Sequence, residues 1–383
     1  MRVWIINPFD NLPQEGYRPM RFWLMASAYA AAGHEVTYWS ADFSHANKAL
    51  RRMDAAVPPP PFRLVLLKEP PYSSNVSFRR MYAHWRWAKN WRAAAEGETR
   101  PDAIIASTPP LCIGREVRRY AAKTGAKVVV DIMDDWPGTF ERVAPRFLLW
   151  PLRRLAKANL RAADAVSVVA DRYADLARGL GFKGPLRRFY HGIEMHPLAA
   201  AGAERGGGLR LVYIGNLGRT YDLTTVVEAL PLLPGATLDI AGEGEQLDRL
   251  KETAAGLSVR FHGYVGEREL AELLSGCDVG IVPMQSESCV GVPYKFADYA
   301  KAGLAIASSL GGESGKLLAV YGAGVAYRGG DPRSLASSLA SLRSRLEEMK
   351  KGARKMAETE FDAKRIYAEH VRFTEGLFRG KEG

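Results

Sequence analysis

The chain has 383 residues, of which 47% are hydrophobic and 25% charged, and a net charge of +11. That length exceeds one ordinary domain, and the composition excludes a disordered, collagenous or disulfide-stapled chain. Cys112, Cys277 and Cys289 lack metal spacing, no apolar run approaches a membrane span, and Met1–Pro8 is too short in its apolar run for a secretion signal, so a reducing, cytoplasmic setting is expected.

The charge is unevenly placed. Residues 1–200 hold 30 Lys and Arg against 18 Asp and Glu, a net +12, whereas residues 201–383 hold 23 against 24, a net −1. All eight tryptophans lie within the first 150 residues. Two halves with different surfaces point to two domains with different partners.

In chain order, apolar runs of strand type fall at Arg2–Ile6, Val36–Trp39, Arg63–Leu67, Asp102–Ala106, Lys127–Asp131, Ala165–Val169 and Leu186–Tyr190. Helical segments separate them, beginning with Pro19–Ala32, which Gly33 stops. Small, unpatterned residues over 195–208 read as a linker. The rhythm restarts with strands at Leu209–Ile214, Thr237–Ala241, Val259–Phe261, Val279–Val282, Leu304–Ala307 and Gly324–Tyr327, followed by helices over Leu335–Thr359 and Phe361–Phe378. Alternation of this kind predicts parallel sheets covered by helices on both faces, with ligands at the carboxyl ends of the strands. The expected fold class is α/β with two Rossmann-like domains facing each other across a cleft. Residues 1–194 form the first, 195–208 the linker and 209–360 the second, and a crossing helix within 361–383 joins the first.

Four stretches carry candidate chemistry. Gly215–Thr220 follows a strand; its glycines let backbone approach a ligand, and Arg219 suits phosphate oxygens. Ala241–Gly244 follows another strand in the same way. Asp131–Pro137 ends a buried strand; one of its carboxylates serves a cleft as base or hydroxyl acceptor, or Asp135 caps a helix ahead of Pro137. Gly291–Ile306 reads as loop, helix and strand: Pro293 suits the first helical turn and Gly303 the position past its end. The helix start favours an anion, with Lys295 one turn in and Asp298 as a hydroxyl acceptor. The same pattern also describes an ordinary core helix. Gly311–Lys316 is one residue short of a phosphate-binding P-loop, with Leu317 where a metal-binding hydroxyl belongs. There is no Gly-x-Gly-x-x-Gly after the first strand and no metal-ligand spacing.

These motifs, in this order, resemble family 4 glycosyltransferases of the GT-B fold. The resemblance rests on Leu211–Gly218, Ile240–Gly244, Val259–Val265, Gly276–Pro283 and Val292–Gly303, and more loosely on Gly16, Arg18, Gly33–Val36, Tyr190–Ile193 and Asp131–Pro137. It implies sugar transfer from a UDP-, GDP- or dTDP-sugar, with retention and with no metal or other cofactor required. It implies donor contacts from Gly16, Gly218, Arg219, Gly242, Glu243, Gly244, Gly291, Lys295 and Asp298, with Asp298 on the ribose and Lys295 and Arg219 on the diphosphate. Asp134 would be the catalytic residue that orients the acceptor hydroxyl. The family's first loop acid is replaced by Val290, for which Glu287 can substitute if the loop curls, and its Lys after the Gly-Arg turn by Tyr221-Asp222. The acceptor implied is a glycan or lipid-linked glycan in surface polysaccharide or lipopolysaccharide assembly.

Ser77–Ala95 mixes Arg79, Arg80 and Arg86 with Trp85, Trp87 and Trp91, and Arg146–Arg154 is a second basic-apolar run. Arg and Trp together suit an anionic membrane surface, here the inner face of the cell membrane, although a core helix with a solvated basic face has the same pattern. No nucleic-acid motif is present. The alternatives to a transferase are a GT-B sugar-nucleotide epimerase and a degenerate transferase that acts as a membrane-associated binding partner.

Overall fold

The structure is a computed structural model; it describes residues 1–75, 77–142, 144–195, 207–285 and 290–379. Glu287, Cys289 and most of the expected linker lie outside these residues. The chain divides into two compact units: Met1–Gly192 with Ala363–Gly383, and Ile193–Asp362.

The strands of the first unit are β1 (Arg2–Ile6), β2 (Glu35–Ala41), β3 (Phe43–Ser44), β4 (Ala49–Leu50), β5 (Arg63–Leu67), β6 (Ala103–Thr108), β7 (Lys127–Ile132), β8 (Ala165–Val168) and β9 (Leu186–Arg188). Seven of them form a parallel sheet in the order β5-β2-β1-β6-β7-β8-β9, and β3 with β4 makes a small antiparallel hairpin. Its helices are α1 (Arg21–Ala31), α2 (Phe78–Glu96), α3 (Leu111–Thr124), α4 (Trp150–Arg161), α5 (Asp171–Gly179) and the C-terminal helix Ala363–Arg379. The central strands are apolar on both faces because helices cover both. Trp4 of β1 packs against Trp39 of β2 and Trp91 of α2, with ring centroids 5.2 and 6.2 Å apart.

The buried face of α2 carries Ala83, His84, Trp87, Ala88, Trp91 and Ala95. Trp87 and Trp91 are fully buried, which removes them from the expected membrane-contact set. Phe78, Tyr82 and Trp85, on the far side of the helix, are 96%, 54% and 40% exposed. The helix is aromatic on two faces, so its composition alone does not fix which one meets the sheet.

A buried ion pair fixes this unit. Arg21 of α1 donates through Nε and Nη2 to Asp131 of β7 at 3.0 and 2.8 Å, and both side chains are fully buried. Arg21 Nη1 donates to the carbonyls of Phe189 and Tyr190 at 3.0 and 3.1 Å. The Ser167 hydroxyl donates to Asp131, and His370 of the C-terminal helix contacts that hydroxyl at 3.2 Å. The fork of donors satisfies every oxygen of the carboxylate and holds its pKa below the usual range despite burial. Asp131 is therefore structural, and only the residues after it are available to a site.

The second unit has β10 (Arg210–Ile214), β11 (Thr237–Ala241), β12 (Val259–Gly263), β13 (Val279–Val282), β14 (Ala305–Ser308) and β15 (Gly324–Ala326). They form one parallel sheet in the order β12-β11-β10-β13-β14-β15. Its helices are α6 (Leu223–Ala229), α7 (Leu247–Thr253), α8 (Glu267–Ser275), α9 (Tyr294–Lys301), α10 (Gly312–Tyr321), α11 (Pro332–Arg343) and α12 (Leu346–Met356). The chain enters and leaves this unit side by side, with the Ile193 N–H donating to the Phe361 carbonyl at 2.9 Å. Gly311–Lys316 is the ordinary start of α10.

Replacing Arg21 with Met is expected to strand the Asp131 carboxylate in the core and cost about 3–5 kcal/mol. Urea denaturation checks this, and a wild-type midpoint would contradict it.

Candidate functional site

The strand order of the second unit reverses between β10 and β13. A doubly wound sheet opens a crevice at such a point, outside the carboxyl ends of its strands. The turns after β10 and β11 meet there backbone to backbone. Gly242 has φ 146°, and a Cβ on it would sit 1.9 Å from the Gly215 carbonyl oxygen. A Cβ on Gly244 would sit 2.6 Å from the Leu217 carbonyl carbon. Leu217 N–H donates to the Glu243 carbonyl at 2.9 Å, Gln246 N–H to the Leu217 carbonyl at 3.0 Å, and Gln246 Nε2 to the Gly218 carbonyl at 2.6 Å. Read from the sequence, these glycines serve a ligand's approach; the geometry also requires them for the contact between the two turns. Arg219 is outermost, its side chain 87% exposed and paired with Glu245 at 3.2 Å.

Helix α9 follows β13. Pro293 is its N-cap, just before the first turn in which it was expected, and Gly303 with φ +69° lies just past its end. Tyr299 keys the helix to the sheet: its hydroxyl accepts from Ile214 N–H at 3.0 Å and donates to the Ile281 carbonyl at 3.3 Å. Gly280 makes room for that ring, because a Cβ there would lie 2.2 Å from it. The loop before α9 is tied down by the Ser314 hydroxyl, which donates to the Gly291 carbonyl at 2.7 Å.

So held, α9 buries Lys295 and Asp298 one turn apart. Lys295 Nζ lies over the rings of Tyr213 and Tyr221, 4.7 and 4.1 Å from their centroids. It sits directly beneath Gly215, where a Cβ would come within 2.7 Å of it. Burial pulls this ammonium down to about 7, with Asp298 opposing the shift. Two ring faces supply attraction that water would otherwise provide. Tyr221 stands where the resemblance leads one to expect a lysine, and it forms one wall of the cage. Asp222 beside it caps α6, its Oδ2 accepting from the Thr225 hydroxyl at 2.7 Å and from Gly330 N–H at 2.9 Å. The sequence singled out Tyr221 and Asp222 only as departures from a pattern; Tyr213, spaced as a core residue of β10, gave no signal.

In the first unit, Asp134 is half-buried, and its Oδ1 accepts from Asp135 N–H at 2.8 Å and from the Thr139 hydroxyl at 3.5 Å. Burial raises its carboxyl above the ordinary aspartate range. Asp135 lies against Gly138 and faces Arg172 at 3.9 Å. Gly16 is exposed, with φ 82°, and closes a short turn over Pro13–Glu15. Gly218, Gly242, Glu243, Gly244, Gly291, Lys295 and Asp298 thus belong to the second unit, and Gly16 and Asp134 to the first.

Residues 208–345 match the family described as "Glycosyl transferases group 1", and residues 20–190 match the "Glycosyl transferase 4-like domain". One match falls in each unit, so each unit resembles a glycosyl transferase domain, and the chain has the two-domain GT-B fold. A glycogen synthase of Mycobacterium tuberculosis is 33% identical over 159 residues, which span 39% of this chain and 36% of that protein. The solved structure of sucrose-phosphate synthase from Thermosynechococcus elongatus aligns at TM-score 0.79 and 16% identity over 100% of both chains. Anabaena HepE in complex with UDP and glucose aligns at TM-score 0.69 and 13% identity, over 98% of this chain and 100% of the other.

The depressed Lys295 ammonium makes a prediction for the ligand-free protein. From about pH 7 to about pH 10 the unfolded chain keeps a proton that the folded chain has lost, so this group makes stability rise with pH. Lys295→Met is expected to remove up to roughly 1.4 kcal/mol of that rise per pH unit. Denaturant titrations of both proteins across the window check it; parallel pH profiles would contradict it.

Proposed function

We propose that the protein transfers a sugar from a nucleotide diphosphate sugar to a glycan or lipid-linked acceptor in surface-glycan assembly. The observation that carries this reading is the caged Lys295 with Asp298 at the switch point of a domain matching glycosyl transferases group 1. Lys295 neutralises the diphosphate, helped by Arg219, and Asp298 accepts from the ribose hydroxyls. Gly218 and the Gly242–Gly244 turn line the nucleotide, with the Gly291 loop at the sugar end. Charge develops on the departing diphosphate, so preorganised cations and amides there lower the barrier most. Asp134 orients the acceptor hydroxyl. The bond from the anomeric carbon to the phosphate oxygen breaks, the acceptor oxygen bonds to that carbon, and the acceptor proton passes to the departing phosphate. Retention and independence from metal are part of the proposal. Anabaena HepE forms complexes with UDP and with UDP-glucose, which makes UDP the first nucleotide to test.

The first unit is proposed to rest on an anionic membrane surface from the cytoplasmic side. Phe78, Tyr82 and Trp85 are exposed beside Arg79 and Arg86, and Phe147, Leu148 and Trp150 are 75%, 59% and 59% exposed beside Arg146, Arg153 and Arg154. Met81 of α2, Phe140 and Leu152 each pack against the cluster of Leu111, Trp136 and Ala156. Among the described residues no helix is long and apolar enough to cross a membrane. Arg80 is held inward over the Phe9 and Trp136 rings and is less available to lipid.

Thermal shift against UDP-, GDP- and dTDP-sugars tests the donor reading. A ligand at about 100 times its dissociation constant adds about 2.7 kcal/mol, and Lys295→Ala is expected to abolish the response. Silence across the panel would refute donor binding. Because the diphosphate favours the charged ammonium, affinity should fall as pH rises through about 7; calorimetry in buffers of different ionisation enthalpy should record proton uptake. For the membrane surface, flotation with anionic liposomes at low salt is expected to carry the protein upward, and Phe78→Ser with Trp85→Ser to reduce this severalfold. Absence of binding at low salt would end that part of the proposal.

A further inference from the structure

A second cluster of functional side chains lies at the carboxyl ends of β1, β2 and β5 and on the first turns of α2, apart from the donor residues. Its floor is Glu69, Tyr72 and His84, only 2%, 3% and 1% exposed. Among the described residues, neither carboxyl oxygen of Glu69 has a hydrogen-bond partner, and neither does His84 Nδ1. Buried polar groups are ordinarily paired, so a floor with three open positions is unusual for a purely structural core. Burial raises the Glu69 carboxyl to about 8 and pushes His84 down to about 2. At neutral pH the floor is therefore uncharged and offers both donors and acceptors.

Aromatic rings stand around this floor. Phe9 lies 5.1 Å from both His45 and His84, and the Tyr72 hydroxyl meets His45 Nδ1 at 2.7 Å. Two half-buried cations complete the cluster. The Arg80 guanidinium lies 5.6 Å above Phe9 and 5.1 Å above Trp136, and Lys48 Nζ is 5.4 Å from the Tyr72 ring. Ring faces beside neutral donors and acceptors suit a sugar, whose C–H face packs on aromatics while its hydroxyls pair at the edge. The two cations add a preference for negative charge. Arg80 also senses the charge of Asp134, which puts the cluster near the residue assigned to the acceptor hydroxyl.

We propose that Glu69, His84, Tyr72 and Phe9, with Arg80 and Lys48, bind an anionic sugar unit of the acceptor, a sugar phosphate or a uronate. This rests on the transferase reading and specifies its acceptor class. The hydroxyls pair with Glu69 and His84, and the anion with Arg80 and Lys48.

Calorimetry on the full chain tests it with the 6-phosphates and uronates of glucose, galactose and mannose, the parent sugars, inorganic phosphate, and UDP as the donor-side control. At least one anionic sugar is expected to bind at least tenfold more tightly than its parent sugar and than inorganic phosphate; whether that is a phosphate or a uronate identifies the anion. Glu69→Leu, which removes the stranded carboxyl, should fold with an undiminished melting temperature, lose this binding tenfold or more and keep UDP binding. Arg80→Gln should bring the anionic sugar down toward its parent. No binding by any anionic sugar at about 10 mM, equal binding by the parent sugars, binding of inorganic phosphate alone, or an unaffected Glu69→Leu would each overturn the proposal. Loss of UDP binding with sugar-phosphate binding intact would remove the transferase reading and leave the pocket; the converse would remove only the pocket.

Discussion

The first unit is arranged around a guanidinium that meets no water. Arg21 spends its donors on Asp131 and on the carbonyls of Phe189 and Tyr190, and Asp131 in turn holds Ser167 and, through it, His370. One interaction thereby joins helix α1, strands β7 and β8, the segment after β9 and the C-terminal helix. Such a network is costly to desolvate and stable only when each member is satisfied. Its position matters for the site because β7 ends directly beneath Asp134. Fixing Asp131 fixes where the following carboxylate emerges.

The second unit achieves the same rigidity without charge. Its crevice is shaped by contacts that admit no side chain: Gly242 against Gly215, Gly244 against Leu217, and Gly280 against Tyr299. The aromatic cage then holds Lys295 in a partly discharged condition, opposite in character to the surface pairing of Arg219 with Glu245. Two cations read from the same motif set thus differ in environment. One is preorganised and buried, and the other is free to reorient.

The strands were legible because parallel strands buried on both faces appear as short continuous apolar runs between turn residues. Thr237–Ala241 and Val279–Val282 coincide with their observed bounds, as does the half-buried edge strand Arg63–Leu67. The β3–β4 hairpin was not legible, since two-residue strands carry no period. Helix α2 was legible as a helix but not in its orientation, because aromatics occupy two faces and the choice depends on what packs against them. Lys295 and Asp298 could be located as a motif. The Tyr213 and Tyr221 cage could not, because a tyrosine in a strand is indistinguishable in sequence from ordinary core. Glu69, followed by two prolines after β5, reads as an exposed loop residue; only the fold reveals it as buried and unpaired.

The path of the backbone through the two units bears on how the molecule is made. The second unit is an insertion between Gly192 and Ala363, and its entry and exit segments are stitched together at Ile193 and Phe361. A nascent chain therefore exposes all of the insertion before it exposes the helix that carries His370. Domains generally fold in the order in which they leave the ribosome. Here that order is inverted: the later unit is complete first, while the earlier one waits with the Asp131 network missing its last members.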